Sequence, residues 1–374
     1  MRFLILNTDY PEFLRWLYRE NPGLESKAYD EQMRVRMESL FGVADFYSSN
    51  LRKLGHEAWD IHVNNEALQR AWAAEHGVAL PPPRRSPHFR LRRRVVPWVS
   101  LACDQQWRRD ALLAQIKHFK PDVILNQDLR TIDASFLKQA HSCVHLVIGQ
   151  HAAPFSKGVD LRGYGLMISS LPNFVERFRH EGLSAELHRL AFEPRVLQAL
   201  RPTEQPIPVS FVGTVSRDHR SRVDLLEHLC RRTPLVVWGQ GIDGLPKTSP
   251  VRDRFRGEAW GRRMYQILRD STLTLNHHIG IAGDFANNLR LYEATGAGTL
   301  LITDAKQNLH EIFEPGKEVE SYRNPVECAE LIEYYLAHEQ ERAAIACAGQ
   351  QRTLCEHTYE CRMQELVDIV SRHI

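Results

Sequence analysis

The sequence lacks the features that mark the simplest function classes. Its 374 residues hold seven cysteines, an odd number, and no pair has Cys-x-x-Cys spacing. That spacing excludes a disulfide scaffold and the common structural zinc sites, and it suits a reducing, cytoplasmic compartment. No stretch approaches the roughly 18 apolar residues of a membrane-spanning helix. The opening MRFLILNTDYPEF has too short an apolar run for a secretory leader. Net charge is nearly absent too, since 48 basic and 46 acidic residues leave +2. A nucleic-acid coat would be strongly basic, and a disordered chain would fall well below the 43% hydrophobic content seen here. There is no G-x-x-x-x-G-K-[ST] phosphate loop.

What charge there is lies unevenly. Residues 1–200 carry 27 Lys/Arg and 22 Asp/Glu, a balance of +5; residues 201–374 carry 21 and 24, a balance of −3. Six arginines fall between Arg84 and Arg94, inside a stretch from Gly77 to Pro97 that also holds Pro81, Pro82, Pro83 and Pro87. Prolines remove donors and fix the backbone, so this stretch is expected to be a loop, not a helix. Its arginines suit an anionic acceptor, a phosphate-bearing head group or a membrane surface; a solvated loop is the plain alternative.

The rest of the chain alternates short apolar runs with helical patterns. Phe3–Leu6 predicts a strand, Gln32–Leu54 one long helix closed by Gly55, Glu57–Ile61 a strand, and 64–76 a helix. A helix over Cys103–Phe119 follows, then strand Val123–Leu125, short helix Ser135–Ala140, and strands Val144–Ile148 and Leu166–Ile168. Helix Asn173–His180 and strand Ala185–Leu190 complete the first half. Residues 193–208 hold Pro194, Pro202, Pro206 and Pro208 and are taken as a linker. The second half predicts strands at Val209–Val212, Leu235–Trp238, Leu273–Leu275 and Leu300–Ile302, with helices at Ser221–Cys230, Arg262–Arg269 and Asn288–Ala294. A helical tail runs from Asn324 and ends in an amphipathic Glu356–Val370 helix. Such alternation specifies an α/β fold: two Rossmann-like domains whose parallel sheets face a central cleft.

Gly239-Gln-Gly241-Ile-Asp-Gly244 matches the dinucleotide fingerprint directly after an apolar run. The fingerprint needs a helix to open at its third glycine, so that the helix N-terminus holds the pyrophosphate. Gly244 is instead followed by Leu-Pro-Lys-Thr-Ser-Pro, so a glycine-rich turn is expected and no resident cofactor.

Residues 287–359 are the most informative. The pieces LRLYEATGAG, LLITD, FEPGKE, and the tail YYLAH…AGQQR…EHTY closely resemble the C-terminal region of the spore-maturation-protein-like (CgeB-like) group of GT-B glycosyltransferases. Weaker matches extend upstream to Phe211-Val212-Gly213-Thr214 and the strand before Asn276. The resemblance covers nearly all of the second half; the first half matches only in general architecture. It implies a donor domain at 207–355 that binds a nucleotide-diphosphate sugar. It also implies an acceptor-side domain at 1–200, a last helix (356–374) crossing back to the first domain, and transfer without a metal. No Asp-x-Asp pair occurs, so the commonest metal–nucleotide motif of sugar transfer is absent.

Helix N-terminal N–H groups favour a phosphate, which makes Asn287 and Asn288 donor-site candidates, with Arg290 in the first turn. The resemblance makes Glu293 the acceptor of the ribose hydroxyls. Many retaining relatives carry a second Glu eight positions earlier; here that position is Phe285, and Asp284 is the candidate substitute. Gly213 and Thr214 end a strand where a diphosphate would approach the backbone. Arg217, Arg220 and Arg222 follow and could neutralise the leaving group. By resemblance Trp238-Gly239 and Phe255-Arg256-Gly257 flank the base. His277 and His278 end another strand and point to opposite faces, a poor metal pair, but one could meet phosphate or sugar. A general base for the acceptor needs a carboxylate or imidazole at the cleft, which nominates His151 and Asp9, with Asp128 a weaker third. The leading reading is a metal-independent glycosyltransferase acting on a glycan, protein, lipid or small-molecule acceptor. The alternatives are a nucleotide-sugar epimerase or hydrolase, or a non-catalytic sugar-nucleotide-binding module.

Overall fold

The short apolar runs become strands that are buried on both faces, as central strands of a parallel sheet must be. A computed structural model of the chain describes residues 1–82, 106–129, 132–140, 144–153, 159–202, 206–216, 219–280 and 283–374, and the backbone of 85–92 and 96–103. In the first strand, β1 (Arg2–Asn7), Phe3 and Ile5 enter one core cluster and Leu4 and Leu6 another, so alternate side chains seed opposite faces.

In the first half β1 is followed by β2 (Glu57–His62), a separate antiparallel hairpin β3 (Arg85–Arg92) and β4 (Val96–Cys103), then β5 (Val123–Asn126), β6 (Leu146–Gln150), β7 (Leu166–Ser169) and β8 (Ala185–Leu187). They form a parallel six-stranded sheet ordered β2-β1-β5-β6-β7-β8. The second half supplies β9 (Ile207–Val212), β10 (Leu235–Trp238), β11 (Ser271–Leu275), β12 (Leu300–Asp304) and β13 (Glu320–Tyr322), a parallel sheet ordered β10-β9-β11-β12-β13. The expected α/β architecture of two parallel sheets is what forms.

Several local expectations are corrected. The single helix over Gln32–Leu54 is two, Tyr29–Glu38 and Phe46–Lys53. Between them Leu40, Gly42 and Ala44 take left-handed backbone, with φ of 57°, 62° and 39°. The break serves a long-range contact. The Arg262 N–H donates to the Ser39 carbonyl at 2.9 Å, and a Cβ on Gly261 (φ 49°) would lie 1.9 Å from that oxygen. Only glycine lets the two segments meet there.

The stretch expected to be a loop forms the hairpin β3–β4 instead, with Pro87 opposite Leu101 and Pro97 opposite Leu91. Each strand of a two-stranded ribbon is an edge, where a missing donor is tolerated. The side chains of the arginine cluster, and Arg84, Arg93 and Arg94 altogether, lie outside the described residues. Cys103 belongs to β4, and the next helix begins at Gln106. β8 stops at Leu187, not Leu190. The hydrophobic pattern also misses the Pro11–Glu20 helix, which starts on a proline as helices readily do, and the edge strand β13.

The tail consists of helices Pro325–Ala337, Glu339–Glu356 and Tyr359–Ser371. The last packs against Phe46–Lys53 of the first half, with the Tyr359 and Phe46 rings 5.2 Å apart. The Phe192 N–H donates to the His357 carbonyl at 2.8 Å, and the Tyr359 N–H to the Phe192 carbonyl at 3.0 Å. His188 Nε2 meets the Arg362 carbonyl at 3.1 Å.

Burial pushes the imidazoles of His188 and His357 down to about 4. A histidine held neutral in the fold takes up its proton first in the unfolded chain. Its stabilising contribution is therefore complete above the ordinary value of 6.5 and is lost as pH falls from there toward 4. We expect the destabilisation caused by His188→Gln, read as the thermal midpoint against the parent chain, to be largest near about pH 7.5 and to shrink by about pH 5. A shift independent of pH would contradict this.

Candidate functional site

In the second sheet the chain leaves β9 for β10 on one side and later returns to β11 on the other. Connections that diverge from adjacent strands leave a crevice beyond their C-terminal ends. Arg222 fixes the width of this one. Its Nη1 donates to the Thr214 carbonyl at 3.1 Å and its Nη2 to the His277 carbonyl at 2.7 Å, tying the segments that leave β9 and β11. The side chain is buried, lies 5.6 Å over the Phe211 ring and has no ion-pair partner among the described residues. It is a positive charge held at the floor of a cavity of about 290 Å³.

The helix Leu289–Ala297 opens on the same cavity through Asn288, Leu289 and Arg290. Asn288 caps it by accepting from the Leu291 N–H at 3.3 Å. The Asn288 amide donates to Asn276 Oδ1 at 2.7 Å, and the Asn276 amide to Thr303 Oγ1 at 2.9 Å. This chain fixes the helix start to the ends of β11 and β12. The first N–H groups of a helix have no partner within it and carry partial positive charge, so this end favours an anion.

One turn on, Glu293 also lines the cavity although it is 5% exposed. Burial pushes its carboxyl up, and Arg290 opposes that shift, with Nη1 2.9 Å from Oε2. The Tyr265 hydroxyl donates to Oε1 at 3.4 Å. Arg290 also donates to the Val212 carbonyl at 3.1 Å. Glu293 is therefore a positioned acceptor whose charge is balanced.

Gly213 and Gly239 bring two backbones together at the wall, where the Gly213 N–H donates to the Trp238 carbonyl at 3.0 Å. A Cβ on Gly239 (φ 144°) would lie 1.8 Å from the Gly213 oxygen. No α-helix opens at Gly244, which ends a short 3-10 turn; the next helix, Val251–Arg254, begins seven residues on, so the dinucleotide fingerprint lacks its helix. The opposite wall comes from the first half: Tyr10, 65% exposed, with Phe41 and Gly42. Phe41 stacks on Phe13 at 4.3 Å and meets Trp260 edge-on at 4.8 Å.

The structure thus gathers Gly213, Thr214, Arg222, Asn276, Asn288, Arg290 and Glu293 around one cavity. Other nominated residues lie elsewhere. Arg217 falls outside the described residues. Arg220 is exposed at the start of the Arg220–Arg232 helix, and Asn287 is half-buried just before the Asn288 cap, outside the cavity lining. Trp238 is a core residue, and exposed Arg256 donates to the carbonyls of Asp253 and Phe255 in its own loop. His277 Nδ1 meets the Tyr322 hydroxyl at 2.9 Å, whereas His278 Nδ1 meets Asp304 Oδ1 at 2.6 Å. Asp284 is exposed and outside the cavity lining. His151 follows β6 with its ring edge-on to Phe174 at 6.2 Å and is not among the lining residues. Asp128 accepts from the Thr8 hydroxyl at 2.9 Å.

Asp9 requires a correction. Burial raises its carboxyl, but His62 and Arg36 more than reverse this and hold it far below the usual carboxylate range. Arg36 Nη2 lies 2.6 Å from Oδ1, and His62 Nδ1 lies 2.9 Å from Oδ2. A carboxylate so committed cannot take a hydroxyl proton. Sequence reasoning missed Tyr10, Phe41, Trp260 and Met264. Tyr10 had a signal, since it lies in the Asn7–Tyr10 segment that leaves β1; the others reach the cavity only through tertiary packing.

The buried pair gives a direct test. Arg290→Met leaves Glu293 without its cation, so unfolding by denaturant should show a loss of roughly 3–5 kcal/mol. Adding Glu293→Gln should restore most of it.

Residues 220–368 match the family model described as "Glycosyl transferase-like". No curated protein matches the chain in sequence. Among solved structures, HepE of Anabaena, in complex with UDP and glucose, superposes with a TM-score of 0.62 at 12% identity over 100% of both chains. The sucrose-phosphate synthase of Thermosynechococcus elongatus gives 0.59 at 10% identity, over 100% of this chain and 99% of the other. AviGT4, a glycosyltransferase involved in avilamycin A biosynthesis, gives 0.57 at 14% identity, over 100% and 98%. The chain therefore has the GT-B fold seen in solved glycosyltransferases, and residues 220–368 of its second half form a glycosyl transferase-like domain.

Proposed function

We propose that the chain transfers a sugar from a nucleotide-diphosphate sugar to a hydroxyl-bearing acceptor, with the donor in the crevice beyond β9 and β11. The observation that carries this reading is one cavity framed by a capped helix N-terminus, the buried Arg222 and the balanced Glu293. A nucleotide donor presents those walls with a diphosphate and ribose hydroxyls. HepE structures hold UDP and UDP-glucose, which makes a uridine nucleotide the first donor to try.

In this reading the diphosphate meets the N–H groups after Asn288 and the guanidinium of Arg222. Both are fixed before the reaction, so charge developing on the leaving group is stabilised without reorganisation. Glu293 accepts from the ribose hydroxyls, and Arg290 opposes the upward pull of burial on its carboxyl. Gly213 and Gly239 let the donor lie against backbone. His151, at the C-terminal edge of the first sheet, is the proposed base for the acceptor hydroxyl, the role that Asp9 cannot fill. We assign 1–200 to the acceptor side, 207–355 to the donor and 356–374 to the returning helix. The CgeB-like subtype and a cytoplasmic location belong to the same proposal. The location is supported by free thiols at Cys230, Cys328, Cys347, Cys355 and Cys361. Among the described residues no helix is long and apolar enough to cross a membrane.

A thermal-shift panel of nucleoside diphosphates and nucleotide sugars tests the donor site, because a ligand at about 100 times its Kd adds about 2.7 kcal/mol to stability. We expect one base to raise the midpoint and Glu293→Ala to abolish most of that rise. No response to any nucleotide, or an unchanged response in Glu293→Ala, would overturn the assignment. Donor bound but never consumed with any acceptor extract would point to a non-catalytic module. Donor consumed equally without acceptor would point to a hydrolase or epimerase. Turnover should also survive EDTA, since the leaving group is assigned to a helix N-terminus and an arginine; loss of turnover restored by a divalent cation would refute metal independence.

A further inference from the structure

Trp260 is a wall of the donor cavity and also of a second, larger groove of about 570 Å³. This groove is built from both halves and the segment joining them. Trp16 and Leu17 come from the Pro11–Glu20 helix, Glu38 from the Tyr29–Glu38 helix, Arg201 from the joining segment, and Arg262 and Arg263 from the Gly261–Asp270 helix.

The three arginines distinguish it. Other arginines that join separate segments are spent, Arg36 on Asp9, Arg195 on Asp45 and Arg222 on two backbone carbonyls. Arg201, Arg262 and Arg263 are exposed and form no ion pair among the described residues. The lining carboxylate, Glu38, is engaged by Arg34 at 3.1 Å, and Arg262 reaches only the Glu38 carbonyl, at 3.4 Å. Gln266 fixes the backbone of Arg201, accepting from its N–H at 3.0 Å and donating to its carbonyl at 2.9 Å. A lone surface arginine is ordinarily just solvated. Three guanidiniums without an ion pair lining one concavity, which half-buried Trp16 also lines, offer donors for phosphate oxygens and an apolar wall for the group attached.

We propose that this groove binds a phosphate monoester, its phosphate on Arg201, Arg262 and Arg263 and its organic part against Trp16. The site is separate from the donor cavity and does not depend on the reading of that cavity. The ester has two natural sources, a soluble metabolite or a lipid head group, and the test separates them.

Calorimetric titration with glycerol 3-phosphate probes the soluble source. Co-sedimentation with phosphatidylcholine vesicles, with and without phosphatidic acid, probes the lipid source. Each is run on the full chain and on Arg201→Glu/Arg263→Glu, two arginines whose side chains form no ion pair among the described residues. The parent chain should bind glycerol 3-phosphate or sediment only with phosphatidic acid. The double variant should bind roughly tenfold or more weakly, the effect of losing one charge-assisted hydrogen bond or more. Its thermal midpoint without ligand should match the parent's, and Arg201→Gln/Arg263→Gln should give a smaller loss in the same direction. Binding of neither probe by the parent, or equal binding by parent and both variants, would overturn the proposal.

Discussion

The structure turns on one buried guanidinium. Arg222 holds the Thr214 and His277 carbonyls, so the backbone segments leaving β9 and β11 stay at a fixed separation. Each diverges into its own connection, and beside the clamp His277 Nε2 meets the Ser221 hydroxyl at 3.3 Å across the same gap. Burial pushes the Arg222 pKa down, but an arginine at this height remains charged. The clamp is therefore also the cation at the cavity floor. Structural support and electrostatic function reside in the same group.

A second constraint joins the halves. Ser39 seats on the N-terminus of the Gly261–Asp270 helix, where only a glycine fits, and Phe41 wedges against Phe13 and Trp260. The tail answers from the other end, with the Tyr359–Ser371 helix on Phe46–Lys53 and its entry segment hydrogen-bonded to Phe192. The first-half wall of the cavity, Tyr10, Phe41 and Gly42, is held in register with Asn288 and Glu293 by these contacts.

Carboxylates buried near the cleft are partnered: Glu293 by Arg290, Asp9 by Arg36, and Asp304 by a hydrogen bond with His278. A carboxylate removed from water needs a partner, or it takes a proton instead. The pairs explain why proximity to a cleft was a poor guide to chemistry. Asp9 sits where a base belongs, but its neighbours keep it ionised and occupied.

Local pattern determined the parts of this protein that depend on near neighbours. Apolar runs and their spacing were enough for the central strands of both parallel sheets, the helix at Leu289–Ala297 and its cap, because strand burial and helix capping are short-range demands. Prolines after Gly244 were enough to discount the dinucleotide fingerprint. Glu293, Asn288, Arg290, Gly213 and Thr214 were legible because they lie on the elements that end at the crevice. The tertiary structure alone decided the rest. It broke the Gln32–Leu54 helix to seat Ser39 and turned a proline-rich stretch into a hairpin. It chose Arg222 over Arg220 as the buried cation, took Asp9 for an ion pair, and supplied Tyr10, Phe41 and Trp260 from distant segments. Each of these outcomes depends on which side chain another segment of the chain brings within a few ångströms, and no window of sequence contains that information.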